Sequence, residues 1–154
     1  MVYATIRLRG KINVKPRIKK TLKLLNLTRS NHCVLIEEKK ENKGMLQKTK
    51  DFITWGEIDQ EHAADLIKKR GKLKGGKNIT DKYIKSSTSY KNIDDISKDI
   101  VKDKIKYRNI PDVKPIFRLN PPEKGLKSIK RSFKNKGSLG YRGKEINVLL
   151  DRMI

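Results

Sequence analysis

Apolar and polar residues alternate from the start of the chain. In "VYATIRLRG", Ala4, Ile6 and Leu8 share one parity, and Tyr3, Thr5, Arg7 and Arg9 the other. Successive strand side chains point to opposite faces, so the pattern predicts a strand with one core face and one polar, cationic face open to solvent. The period then lengthens. Pro16 suits the first turn of a helix, where its missing N–H costs nothing. Beyond it, Ile18, Leu22 and Leu25 recur at helical spacing, with Lys19, Lys20 and Lys23 on the outer side. "NHCVLIEE" is short and apolar, so Cys33 to Ile36 reads as a buried strand. A second amphipathic segment follows Gly44: Met45, Thr49 and Phe52 line one face, Leu46 and Ile53 lie beside them, and Lys48 and Lys50 sit away from its centre. "TWGEID" gives a third strand. Asp59 is placed to cap a helix over "QEHAADLIKKR", which Gly71 ends.

The predicted order over residues 1–59 is β-α-β-α-β, which favours a sheet with helices packed on one face. Residues 60–154 form an extension of different character. "GKLKGGKN" reads as a loop, Thr80 as the cap of a short helix carrying Tyr83 and Ile84, and "KSSTSYKN" as a polar linker. "IDDISKDIVKDKI" predicts a helix with Ile93, Ile96 and Ile100 inward. "KPIFRL" predicts a short strand closed by Pro121 and Pro122, and "EINVLLDRMI" a terminal helix with Ile146, Leu149, Leu150 and Met153 on its apolar face.

Charge changes the picture most. The 154 residues hold 39 Lys and Arg against 17 Asp and Glu, a net charge of +22. Such an excess on a small globule is self-repulsive unless a polyanion is near, and phosphate backbones meet basic clusters of this kind. A membrane surface would call for a basic amphipathic helix or a lipid anchor, and neither is present. From Lys124 to Lys144 there are eight Lys or Arg and no acid, with Gly125, Gly137, Gly140 and Gly143 interspersed. That run predicts an extended, mobile loop in the free protein, pinned at both ends. It orders on phosphate through Lys127, Lys130, Arg131, Lys134 and Arg142. Phe133 and Tyr141 either stack on bases or anchor the loop to protein. Arg7 and Arg9, continued by Lys11 and Lys15, form the second expected contact surface.

Catalytic chemistry finds no footing. Gly71, Gly76 and Lys77 match the opening of a P-loop, but position 78 is Asn where Ser or Thr must hold magnesium, and a helix rather than a strand precedes it. Cys33 is the single cysteine, which excludes an internal disulfide and a Cys-based zinc ribbon and reads as a small core residue. His32 beside it is on the opposite strand face, poor geometry for a Cys–His pair. It reads equally as a surface contact or a packed histidine. Asp94, Asp95, Asp99 and Asp103 interleave with lysines as on a solvated helix face. The reading is of a non-enzymatic protein without cofactors, in a reducing cytoplasm.

The blocks "IRLRGKINVKP", "TLKLLNLTRSNHCVLIEE", "KGMLQKTKDFITWGEID", "FRLNPPEKG" and "GKEINVLLDRMI" resemble the universal large-subunit ribosomal protein thirty family in its longer, archaeal form. They are spread over the whole chain; the interval 85–114 carries least of the resemblance, and shorter bacterial relatives would match only to about Asp59. The resemblance implies an α/β (α+β) fold with a ferredoxin-like β-α-β-α-β core and a C-terminal helical and loop-rich extension. It also implies a structural role in the large subunit as a monomer bound to 23S rRNA near 5S rRNA, among neighbouring ribosomal proteins, with no DNA and no membrane. Arg29, Asn31, His32, Lys43 and Lys48 lie within these blocks and join the expected rRNA contacts. The competing readings are a free-standing RNA-binding or chaperone module and an RNA-modifying enzyme. The first calls for exposed strand aromatics, where only Tyr3 qualifies on the first strand. The second calls for a cofactor loop or a convergent acid, base or nucleophile.

Overall fold

In the computed structural model, which describes all residues from Met1 to Ile154, five strands form one sheet. They are β1 (Val2–Arg7), β2 (His32–Glu37), β3 (Ile53–Glu57), β4 (Phe117–Arg118) and β5 (Gly140–Tyr141), in the order β4-β2-β1-β3-β5. β1 is central and antiparallel to both β2 and β3. Between them run α1 (Pro16–Leu24) and α2 (Lys40–Lys48). The extension adds α3 (Gln60–Arg70), α4 (Asp81–Ser87), α5 (Ile93–Val101) and α6 (Ile146–Asp151), and supplies both outer strands of the sheet.

Helices cover both faces of the sheet, not one as the first sixty residues suggested. Val2, Ala4, Ile6, Leu8 and Cys33 join a 25-residue cluster with Leu66 and Ile67 of α3, Ile93, Ile96 and Ile100 of α5, and Leu149 and Leu150 of α6. Tyr3, Val34, Ile36, Ile53 and Trp55 face the other way, into a 10-residue cluster with Leu22, Leu25 and Leu46. The alternation in β1 therefore separates two cores. Every residue of β1 is buried, Arg7 included. A single sequence window cannot show this, because the helices that cover the first face come from residues sixty to a hundred and fifty.

Local chemistry sets most boundaries. Asp59 caps α3 by accepting from the His62 N–H, Thr80 caps α4 through Tyr83 and Asn92 caps α5 through Asp95. Past α1, Asn26 takes a left-handed φ of 61°, and the Leu27 N–H returns to the Leu22 carbonyl, a helix stop suited to Asn. α2 begins at Lys40, ahead of Gly44, and Ile53 belongs to β3 rather than to that helix. α4 continues to Ser87, taking the start of the expected linker.

Gly56 admits α6 to the sheet. A Cβ there would stand 1.9 Å from the Gly143 carbonyl oxygen and 3.1 Å from Ile146 Cβ. The basic run is likewise part of the architecture. Tyr141 and Gly140 pair in parallel with Trp55 and Thr54, and the Arg142 N–H donates to the Trp55 carbonyl. Ser132 bridges Leu139, and Gly137 packs so tightly that a Cβ would lie 2.0 Å from the Arg131 oxygen. This half of the run is held by backbone bonds and by buried Ser138 and Leu139, a more structured arrangement than the extended loop expected from composition.

Candidate nucleic-acid interface

The register sorts charge along the strands. At one end of the sheet Val2 pairs with Glu37 and Tyr3 with Glu57. At the other, Arg7 pairs with Ile53, Ile6 with Cys33, and His32 with Arg118. Two acids at the acidic end are paired with cations, and Glu57 accepts from the Tyr141 hydroxyl. Glu37 meets Lys39 at 2.6 Å, Lys106 at 2.9 Å and Arg108 at 3.9 Å, while Glu38 takes Lys43 at 2.7 Å and the N-terminus at 3.9 Å. Burial would raise the Glu37 carboxyl, but Lys39 and Lys106 outweigh it and hold it below its usual value. The opposite end has a cationic excess.

Two expected contact residues there, Arg7 and His32, are buried, and a third, Asn31, shapes the turn through its backbone. Arg7 is 3% exposed. Its guanidinium donates to the carbonyls of Leu27 at 2.7 Å, Arg9 at 2.9 Å and Gly10 at 2.9 Å, tying the exit of α1 to the end of β1. Burial lowers its pKa. The assignment of Arg7 to a phosphate-facing surface is thus corrected: its donors are spent on the backbone. Asn31 has a left-handed φ of 64°, and its N–H donates to the Arg7 carbonyl at 2.7 Å while its carbonyl accepts from Leu119 at 3.0 Å. It turns the chain into β2 and links β1 to β4. His32 is 8% exposed, with Nδ1 3.4 Å from Thr28 Oγ1. Of the two readings left open for it, the packed histidine is the one found.

His32 nevertheless reports on its surroundings. Burial first, then the charges of Arg118, Arg29, Arg7 and Lys11, push the imidazole below its usual pKa. Arg29, Lys11 and Arg118 are exposed and make no salt bridge. Three segments far apart in sequence thus converge on one corner. Arg118 was missed by sequence reading, because its place follows from a β2–β4 pairing across more than eighty residues. The β1–α1 loop extends the corner, with Ile12 87% exposed at its tip.

Arg9 is half-buried, its guanidinium carbon 5.0 Å from the centroid of the Phe52 ring and one nitrogen donating to the Asp51 carbonyl at 3.3 Å. From there a groove runs to the basic loop. Arg9, Lys15 and Phe52 line one stretch, Lys50, Arg131 and Asn135 the next, and Asp51, Lys130 and Leu139 belong to both. Arg9, Lys15, Lys130 and Arg131 are therefore brought together. Lys50, Asp51 and Asn135 were not anticipated.

The remaining expected residues scatter. Lys127 and Lys134 are exposed on the loop, and Lys48 is exposed at the end of α2. Lys43 lies at the acidic end, engaged with Glu38. Arg142 is half-buried: Nε donates to Thr54 Oγ1 at 2.8 Å, Nη2 to the Ser138 carbonyl at 2.6 Å, and its guanidinium carbon lies 4.9 Å from the Phe133 centroid. Burial, with repulsion from Arg152, draws its pKa down to about 10. These contacts anchor the loop, with Phe133 as the partner of Arg142. Tyr141 meets Tyr3 edge-on and Trp55 at a tilt, and its hydroxyl donates to Glu57.

The Gly71–Lys77 segment closes on itself, with the Leu73 N–H donating to the Lys77 carbonyl and Gly76 to Leu73. It is a turn after a helix, and its amides do not converge on a phosphate seat. Cys33 is fully buried, its thiol pushed up to about 12 by desolvation, as befits an inert core residue. No helix is long and apolar enough to cross a membrane.

Comparison with known proteins bears directly on this basic fold. The family model described as "Ribosomal protein L30p/L7e" matches residues 3–53, the stretch from β1 to the start of β3. The large ribosomal subunit protein uL30 of Methanosphaera stadtmanae is 46% identical over 153 residues, covering 99% of this chain and 100% of that protein. The protein of the same name from Thermoplasma volcanium is 48% identical over 153 residues, covering 99% and 93%. That from Archaeoglobus fulgidus is 44% identical over 152 residues, covering 99% of each. This chain belongs to the uL30 family. The family is structural and non-enzymatic, and the mixed sheet with two helices between β1, β2 and β3 is consistent with its ferredoxin-like fold. Coverage of the uL30 relatives runs through the extension, so β4, β5 and the basic loop lie within the aligned length.

Proposed function

We propose that this protein is a structural constituent of the large ribosomal subunit that binds and stabilises rRNA, 23S rRNA in the vicinity of 5S rRNA, through the cationic end of its sheet. The observation that carries this reading is the corner around His32. Lys11, Arg29 and Arg118 gather there without acidic partners, while Glu37 and Glu38 at the other end are paired with cations. Exposed, unpaired cations on a rigid sheet end suit phosphate positioning, where guanidinium forks and ammonium groups replace condensed counterions. The groove toward Lys130 lengthens that surface. Neighbouring ribosomal proteins would meet what the RNA leaves uncovered.

The test is sedimentation of a cell extract through a sucrose gradient at moderate salt. The expected result is comigration of the protein with the large subunit, and loss of comigration in a variant with Lys11, Arg29 and Arg118 all replaced by Ala. Sedimentation only with free protein at the top of the gradient would overturn the assignment and favour a free-standing module.

A further inference from the structure

Within the groove between β1, the α2–β3 turn and the basic loop, one residue is out of keeping. Asp51 is an exposed acid that lines both stretches of the groove, among Arg9, Lys15, Lys50, Lys130 and Arg131. It forms no salt bridge with any of them. If the groove served phosphate alone, a free carboxylate at its centre would repel the ligand it is built to hold. A carboxylate is acceptor-only when ionised, and its natural partners are paired N–H donors. In RNA such donors lie on base edges. Guanine carries two side by side, N1–H and N2–H2, on its Watson–Crick edge, whereas adenine places an acceptor beside its single amino group.

We infer that this groove takes an unpaired nucleotide of RNA, with Lys15 and Lys130 on its phosphates and the Asp51 carboxylate accepting from the Watson–Crick edge of a guanine. Arg9, over the Phe52 ring, provides the guanidinium surface on which a splayed base stacks. Sequence-specific RNA recognition works mainly on such unstacked bases, because the major groove of A-form RNA is too deep and narrow to be read. The groove is assembled from three segments, so the reading site exists only in the complete fold. Asp51 thus sets specificity and the lysines set affinity. The inference rests on the RNA-binding reading above and adds base selectivity to it.

The experiment uses the full-length protein and fluorescently labelled RNA hairpins that differ only in one bulged nucleotide, G or A, with Kd measured by anisotropy. Wild type is expected to prefer the G bulge by about tenfold, the order of discrimination that a good bidentate contact gives. Asp51→Asn should abolish the preference without weakening binding to the A bulge. Lys130→Ala should weaken both RNAs equally and keep the preference. Thermal unfolding of each variant checks that the exposed substitutions leave the fold intact. Equal affinity of wild type for both RNAs, or a G preference that survives Asp51→Asn, would overturn the inference while leaving RNA binding standing. Absence of RNA binding altogether would overturn both.

Discussion

Two arginines two residues apart separate structure from binding. Arg7 gives its donors to three backbone carbonyls in a buried setting, so truncation leaves those acceptors unmet. Arg7→Ala is expected to cost about 2–3 kcal/mol in chemical denaturation. Arg9 lies half-exposed over Phe52, and Arg9→Ala should cost well under that while weakening RNA binding. Equal destabilisation by both would contradict the division. The two histidines separate in the same way by sign. Burial lowers the His62 pKa, but the carboxylates of Asp59 and Asp151 more than compensate, so it is raised overall. Its stabilisation is therefore fully present below the unfolded value near 6.5 and is lost as pH rises through the folded pKa. His32 is lowered, so the folded state resists its protonation and stability falls as pH drops below about 6.5. Between about pH 5 and pH 8, His62→Gln should lose more Tm at the acid end, whereas His32→Gln should lose less there. Shifts of the same sign in both variants would show that the assigned surroundings are wrong.

At the level of elements, the approach of α6 to β3 depends on a missing Cβ. Gly56→Ala would drive a methyl into the Gly143 carbonyl, and overpacking of this kind costs about 3 kcal/mol. Equilibrium unfolding checks it; a near-neutral effect would mean that the 3-10 turn over Gly143–Glu145 moves aside freely. The basic run divides in two. Amides of Phe133, Asn135, Gly137, Ser138, Leu139 and Arg142 donate to backbone, whereas those of Lys127, Ile129 and Arg131 do not. Hydrogen exchange of the free protein should show slow exchange confined to the first group. Uniform fast exchange over 124–144 would restore the mobile loop expected from composition. Elements with their own periodicity or cap were legible in advance: the first strand, the helix capped by Asp59, the isoleucine face of α5. What was not legible depended on partners distant in sequence. β5 is two residues of Gly and Tyr, a strand only because β3 lies beside it. Arg142 read as a free cation because nothing nearby in the chain reveals Thr54, 88 residues away, as its acceptor.

Over the whole molecule, the net charge of +22 makes affinity for RNA a matter of counterion release. If on the order of six to ten cations reach phosphate, binding should weaken about 10³–10⁵-fold between 50 and 200 mM salt. A flat dependence would remove the electrostatic account. Composition alone pointed to a polyanion, but it could not say which cations were free: of the expected contacts, the fold spends Arg7 and Arg142 and pairs Lys43. Polarity along the sheet is the feature that composition hides and register reveals. The most direct test of it is ultraviolet cross-linking of purified large subunits, followed by mass spectrometry of the peptides carrying rRNA. Cross-links are expected in the β1–α1 loop, at Arg29 to His32 and Arg118, and along residues 124–136. Cross-links confined to the end of the sheet that holds Glu37 and Glu57 would contradict the account.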